Sequence, residues 1–334
     1  MAGLAQYSEF FKNPLFAETI KEIPVKAEYI GSRFLPTELT YDTKFHESVI
    51  TRQADMANLV SADAEFPLTD RDPLRSVSGE IADIAQSYIV SKEEMAALMY
   101  KGNDGRRAIA EKQLLGKART IKENVDARIE WLRWQALSEG GVTYAKNGIY
   151  VTSDFGVDFK KTAATFWDDV NPTIIEDYEK FVQDYVDQNG VTPDVFVTSL
   201  KVIRTVANDA TVRQIITGNS FQLVTISQLN AFLTDRGLPP MEAFDTKVTY
   251  RDPENGGSRA TSRLLNERKG VFLRNGGEIG SQLLGPTVEN DMNPGIFGRS
   301  FRMERPMRDV IEVVASSFPK ITAPDLIGIV TVLA

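Results

Sequence analysis

The stretch RRAIAEKQLLGKARTIKENVDARIEWLRWQALSE, residues 106–139, follows the breaker Lys101-Gly-Asn-Asp-Gly105 and runs into Gly140-Gly141. Its apolar positions Leu114, Ala118, Ile121, Val125, Ile129, Leu132 and Ala136 are spaced by three or four, the period of one helix face. At 1.5 Å per residue such a helix is about 50 Å long, with the glycine pair as its stop. It is long enough to span a whole subunit, and the rest of the fold is read outward from it. Its other faces carry Lys112, Lys117, Arg119, Lys122, Glu123, Arg128, Glu130 and Arg133, a pattern that reads as a solvated surface.

C-terminal to this helix, Val142-Thr-Tyr and Ile149-Tyr-Val-Thr flank Lys146-Asn147-Gly148, and Asn-Gly between β-rich runs predicts a hairpin. From Asn171 the texture alternates. Ile174, Ile175, Tyr178, Phe181, Val182 and Tyr185 mark a helix closed by Asn189-Gly190, before a strand at Asp194–Thr198 and helical stretches through Ile203 and Ile215. A helix at Ser227–Thr234 stops at Gly237, ahead of Pro239-Pro240. Strands at Thr246–Tyr250 and Gly270–Arg274 flank the turn-rich Arg251-Asp-Pro-Glu-Asn-Gly-Gly257. Two apolar strands, Val310–Ser316 and Ile327–Leu333, close the chain through Pro319 and Pro324-Asp325, and their composition predicts burial in a sheet.

N-terminal to the long helix, residues 47–90 hold two alternating stretches, Ser48–Arg52 and Leu74–Ile84, around the acid-rich Ser61-Ala-Asp-Ala-Glu-Phe-Pro-Leu-Thr-Asp-Arg-Asp-Pro73. This predicts a long hairpin, which alone has little to bury. Residues 1–46 contain Phe10, Phe11 and Phe16 but no sustained period, and Pro14, Pro24 and Pro36 interrupt any long helix. An arm lying across another surface is the economical reading.

The chain has 334 residues, 46 of them acidic against 38 basic, for a formal charge of −8. That balance disfavours a tight, salt-sensitive nucleic-acid binder while tolerating non-specific contact with DNA. No run approaches the roughly 20 apolar residues of a membrane span, and a signal peptide is not apparent at the N-terminus. A soluble protein with no membrane partner is expected. With no cysteine, disulfides and thiolate metal sites are excluded. The single histidine, His46, leaves no His-rich metal site. Gly276-Gly277-Glu-Ile-Gly280 lacks both the G-x-G-x-x-G spacing and a Walker lysine, and reads as a plain loop. The pairs Asp168-Asp169 and Asp70-x-Asp72 are explained by solvated loops or a helix start. No catalytic residue, cofactor or metal is therefore expected.

Arg299, Arg302, Arg305 and Arg308 recur every three residues around Pro306. Proline argues against one helix through all four, so they are expected to splay along an extended strip, their guanidinium forks reaching carboxylates of a neighbouring copy.

Three patches resemble the lambda-type major capsid protein family of tailed phages. These are Ala127-Arg-Ile-Glu130 with Trp131 and Gln135-Ala-Leu137 through Gly140 into Thr143-Tyr144; Val195-Phe-Val197 before Val202-Ile203; and Ala315-Ser-Ser-Phe-Pro-Lys-Ile321 with Pro324-Asp325 and Ile329-Val-Thr-Val332. The resemblance implies an α+β capsid fold of the Hong Kong phage type. Its parts would be an N-terminal arm (1–46), an extended hairpin loop (47–92), a peripheral domain with the spine helix (93–166 and about 305–322) and an axial domain (167–304 and about 323–334). It implies a shell of hexamers and pentamers enclosing double-stranded DNA, with assembly in the host cytoplasm and residence in the virion. A separate scaffolding protein, a portal and a decoration protein are the expected partners.

Intersubunit contacts are expected at the four arginines, at Asp63, Glu65, Asp70 and Asp72 of the hairpin, and at Phe10, Phe11 and Phe16 of the arm. Two rivals stand beside this reading. One is an encapsulin-like compartment of the same fold. The other is an enzyme using acidic residues of the α+β unit, which predicts a small oligomer and a pocket of perturbed carboxylates.

Overall fold

The computed structural model describes residues 4–6, 8–49, 75–99, 104–146, 149–252 and 258–334. Its axis is α3 (Asp104–Glu139), 36 residues long and about 54 Å at helical rise, ended by Gly140 at φ +73°. Leu114, Ala118, Ile121, Val125, Ile129, Leu132 and Ala136 are all buried, as their spacing predicts.

One sheet lies along this helix. Its centre is β15 (Met307–Ile321), which pairs along its first part with β14 (Phe297–Glu304) and along its last part with β13 (Gly280–Gly285), and on its other side with β4 (Ala82–Ile89). β1 (Thr37–Leu39) adds in parallel to β13. In a second sheet, β8 (Val195–Thr198) and β12 (Lys269–Leu273) lie between β9 (Met241–Ala243) and β16 (Gly328–Thr331), with β7 (Lys160–Thr162) outside β16. Helices α4 (Ile174–Asn189), α5 (Leu200–Asn208), α6 (Ala210–Thr217) and α7 (Ile226–Asp235) accompany it. Tyr178, Tyr185, Phe196 and Phe272 pack together in its core, which also holds Val202 and Leu233.

Gly190 closes α4 in the left-handed conformation, as the Asn189-Gly190 stop predicts. The Asn-Gly hairpin is present as β5 (Gly141–Lys146) with β6 (Ile149–Asp154). Part of the long hairpin is present as β2 (Lys44–Val49) with β3 (Arg75–Glu80). The glycine loop 276–280 joins β12 to β13 and leads into a strand, with no helix behind it.

The two closing strands do not pair with each other. β15 belongs to the sheet along α3, and β16, six residues later, joins β12 in the second sheet. The apolar link Ala323, Pro324, Leu326 and Ile327 is buried between them. The expected division near residue 305 also shifts, because β13 and β14 are hydrogen-bonded to β15. Of the stretch 251–257, expected as a turn, Arg251 and Asp252 belong to β10 (Lys247–Asp252) and the others lie outside the described residues; β10 pairs in a separate ribbon with a strand the sequence did not announce, β11 (Ser258–Arg263).

Candidate functional site

The arm contains a short helix, α1 (Asn13–Glu22), with Pro14 at its start, where a missing N–H costs nothing. Phe11 and Phe16 are fully buried against Ile20, Leu114 and Val313 of their own chain, while Phe10 is 46% exposed. Gly298 on β14 makes room for this helix, since a Cβ there would lie 2.5 Å from Ile20. The Ser300 amide donates to Asn13 Oδ1 (3.1 Å), and the Ser300 hydroxyl donates to the Phe11 carbonyl (2.7 Å). The expected role of Phe11 and Phe16 between subunits is thereby corrected: they already fill a core, and Phe10 alone of the three is presented outward.

The arginine strip is a hairpin, β14 turning into β15 at Arg305-Pro306. Arg302 donates from Nε and Nη2 to the two carboxylate oxygens of Asp309, both at 2.9 Å, and Asp309 is 4% exposed. Arg299 donates to Glu312 (2.9 Å), lies 3.7 Å from Glu289 and covers the Phe301 ring at 4.8 Å. These two guanidinium groups therefore find their carboxylates within the subunit, across one strand pair. Arg305 and Arg308 are exposed and form no ion pair among the described residues. Asp63, Glu65, Asp70 and Asp72 lie outside the described residues. Asp168 accepts the Ala334 amide at 3.0 Å and so secures the end of the chain.

The charges on α3 are not all solvated. Lys122, Asp126, Glu130 and Arg133 are buried under residues 26–37, a strap joining the arm to the body. Glu130 accepts from the Gly31 amide (2.7 Å) and from Trp134 Nε1 (2.9 Å) and pairs with Arg133 (3.2 Å); Arg133 in turn donates to Thr37 Oγ1 (2.8 Å). Lys122 meets Asp126 at 2.5 Å. Burial pushes the Asp126 carboxyl up, with Lys122 opposing it, and holds the Arg133 guanidinium below its usual value, with Glu130 opposing that shift. This displaced carboxyl sits in a structural clamp under the strap.

The opposite side of α3 carries a second stripe: Lys117, Ile121, Asn124, Arg128, Trp131 and Gln135. It lines a groove of about 1190 Å³ whose walls come from β4, β5, β10 and β11. Arg128 lies 5.0 Å from the centre of Trp131 and 5.3 Å from that of Tyr144. Sequence reading missed this groove because its walls come from residues up to 178 positions apart, Ile84 and Ser262 among them. The three-four spacing of the stripe was the one available signal. Among the described residues, no group of three or more acidic or histidine side chains is placed to hold a metal, and no helix is long and apolar enough to cross a membrane.

A structure described as a prophage capsid protein from E. coli CFT073 aligns with 96% of this chain and 98% of its own, with a TM-score of 0.63 and 13% identity. A phage-related protein of Bordetella bronchiseptica RB50 aligns over 96% of both chains, with a TM-score of 0.55 and 10% identity. The capsid of Myoviridae phage XM1 aligns over 91% and 90%, with a TM-score of 0.50 and 12% identity. At these identities the likeness is one of fold, and it is the expected α+β phage capsid fold. No curated protein sequence matches the chain. Residues 16–289 match the family described as phage major capsid protein E, and this span is well over half of the sequence, so the chain belongs to that family and is a structural protein of a phage capsid.

Proposed function

We propose that this subunit assembles with copies of itself into the hexamers and pentamers of an icosahedral phage head that encloses double-stranded DNA. The observation that carries the reading is the family match over residues 16–289. It is supported by the β2–β3 ribbon, a two-stranded sheet with no further strand beside it among the described residues. Such a ribbon gains stability chiefly by packing on something else, and neighbouring copies in a shell supply that surface.

In this reading residues 1–46 serve as the arm and 47–81 as the extended loop, whose expected end at 92 is corrected because β4 lies in the sheet around β15. The peripheral domain holds α3 with the sheet around β15, and the axial domain is built on the sheet around β12. Phe10, Arg305 and Arg308, with Asp63, Glu65, Asp70 and Asp72, are the contacts offered to other copies. A separate scaffolding protein, a portal and a decoration protein complete the assembly, which forms in the host cytoplasm and ends in the virion. The acidic net charge suits a wall that meets DNA without gripping it.

Light scattering with negative-stain microscopy of the purified protein tests the reading, alone and with a scaffolding partner. Closed shells or capsomer rings are expected. A monomer or dimer unchanged by concentration or partner would sink it.

A further inference from the structure

The glycine loop that joins β12 to β13 takes no part in the capsid reading, yet it opens on an Asn-Gly step. The sequence has four such pairs, at 147–148, 189–190, 255–256 and 275–276. The first and third lie outside the described residues. The other two are the same dipeptide in opposite surroundings.

Asparagine before glycine readily loses its side-chain amide, because the next main-chain nitrogen can reach the side-chain carbonyl and no Cβ shields it. The attack requires that nitrogen to give up its proton and the side chain to turn toward it, and rate depends steeply on such intramolecular geometry.

At Asn189 the fold withholds both. The Gly190 amide donates to the Val186 carbonyl at 2.7 Å as the stop of α4, and Asn189 Oδ1 and Nδ2 are buried. At Asn275 both are granted. The Gly276 amide and the Asn275 side chain make no hydrogen bond among the described residues. Asn275 is exposed, and Gly276, at φ +89°, has open space where a Cβ would stand. The Asn275 amide donates to Asp194 Oδ2 at 2.8 Å, so the main chain is held before this side chain and not after it.

We propose that Asn275 is a site of spontaneous modification, converting to aspartate and isoaspartate through a cyclic imide. The Gly276 nitrogen bonds to the side-chain carbonyl carbon and gives up its proton. The bond from that carbon to the amide nitrogen breaks, and ammonia leaves with the proton. Water then opens the imide. Attack at the side-chain carbonyl gives aspartate, and attack at the main-chain carbonyl gives isoaspartate, whose backbone is one carbon longer. One water enters, one ammonia departs, and nothing is oxidised or reduced.

The position gives the change a consequence. A Cβ at Gly277 would lie 2.8 Å from Pro36 Cγ, and the Gln282 amide donates to the Pro36 carbonyl at 2.8 Å, so this loop props the strap that crosses α3. Conversion adds a carboxylate beside Asp194 and close to Glu278, and the lengthened backbone bears on Pro36.

Folded protein held at mildly alkaline pH is sampled over weeks, then unfolded and digested, with a fresh sample as the blank. Cleavage after glutamate yields peptide 268–278, in which Asn275 is the one asparagine; tryptic peptide 181–201 holds Asn189 alone. Conversion is read as the mass of water gained less ammonia lost, and isoaspartyl methyltransferase labels the longer product. Asn275 is expected to convert at least about tenfold faster than Asn189, the scale of a lost near-attack geometry. In denaturant the two rates should converge. Gly276→Ala should slow the reaction, and Asn275→Gln should abolish it in peptide 268–278. Hydrogen exchange at the Gln282 amide should quicken in the aged parent and not in aged Asn275→Gln.

Equal rates at Asn275 and Asn189 in the folded protein would overturn the proposal. So would an Asn275 that stays intact in the fold while the isolated peptide 268–278 converts, or a difference between the two sites that persists in denaturant. Unchanged exchange at Gln282 in converted protein would overturn the bearing on the strap.

Discussion

The Gly31 amide donates to Glu130 Oε1 at 2.7 Å, across ninety-nine residues of chain. A Cβ at Gly31 would sit 2.7 Å from that same oxygen, so the strap approaches the helix as closely as glycine permits. One fully buried carboxylate thus fastens the strap, holds the Trp134 indole and neutralises Arg133.

Glu130→Ala is expected to destabilise the subunit by about 3–5 kcal/mol, because it leaves Arg133 buried without its partner. Glu130→Gln keeps an acceptor for Gly31 and should cost less. Gly31→Ala should lower stability by about 1–3 kcal/mol through overpacking. Denaturant unfolding of purified subunits measures all three, and equal midpoints for Glu130→Ala and the parent would refute the clamp.

The four arginines separate into two behaviours. Arg302→Ala strands Asp309, which is 4% exposed, and should cost about 3 kcal/mol. Arg305→Ala and Arg308→Ala should change subunit stability by no more than about 0.5 kcal/mol while reducing the yield of shells. Unfolding and sedimentation run side by side distinguish the outcomes. A stability loss at Arg308 as large as that at Arg302 would contradict the assignment.

Gly270 on β12 faces the Phe196 ring on β8, and a Cβ there would lie 2.0 Å from Cζ. Gly270→Ala should therefore destabilise by about 1–3 kcal/mol, and Phe196→Leu added to it should recover part of the loss. A double variant no better than the single one would show that the strain lies elsewhere.

Alkaline pH should weaken the fold through its buried phenols. Tyr29 is pushed up to about 12, first by burial and then by the charges of Glu130 and Asp126; burial also raises Tyr178 and Tyr185. Between the unfolded value of 10.0 and these raised values the folded state holds protons that the unfolded chain releases. Stability is thus fully present below pH 10 and is lost as pH rises, for Tyr29 over the window 10.0 to about 12. Tyr29→Phe should make this decline shallower, as followed by unfolding midpoints and phenolate absorbance. An unchanged slope would argue against the burial of its hydroxyl.

Local signals were legible where a short stretch decides its own structure. The three-four spacing of Leu114 to Ala136, the Asn147-Gly148 pair and Gly190 after α4 each specify an element through contacts within a few residues. Partnership was not legible. Val310–Ser316 and Ile327–Leu333 read as two buried strands, yet nothing in their composition says that they enter different sheets; that depends on β13, β14 and β12, which lie tens of residues away. Ser258–Arg263 has Ala260 as its one apolar residue and is a strand because β10 lies beside it. For the candidate contacts the difficulty was burial. Charge on α3 read as solvated until the strap covered Glu130, and aromatic residues of the arm read as free until Ile20 and Gly298 accounted for them.

The link between β15 and β16 is short, buried and pinned, with the Thr322 and Ala323 amides both donating to the Ile279 carbonyl at 3.0 Å. It ties the two sheets together over six residues, so they are expected to move as one stiff tile. If, as proposed, such tiles meet around axes of different symmetry, the change of angle would have to be absorbed at the joints between tiles and in the parts that project from them. Curvature of the shell is then written in the grouting and leaves the tile unbent.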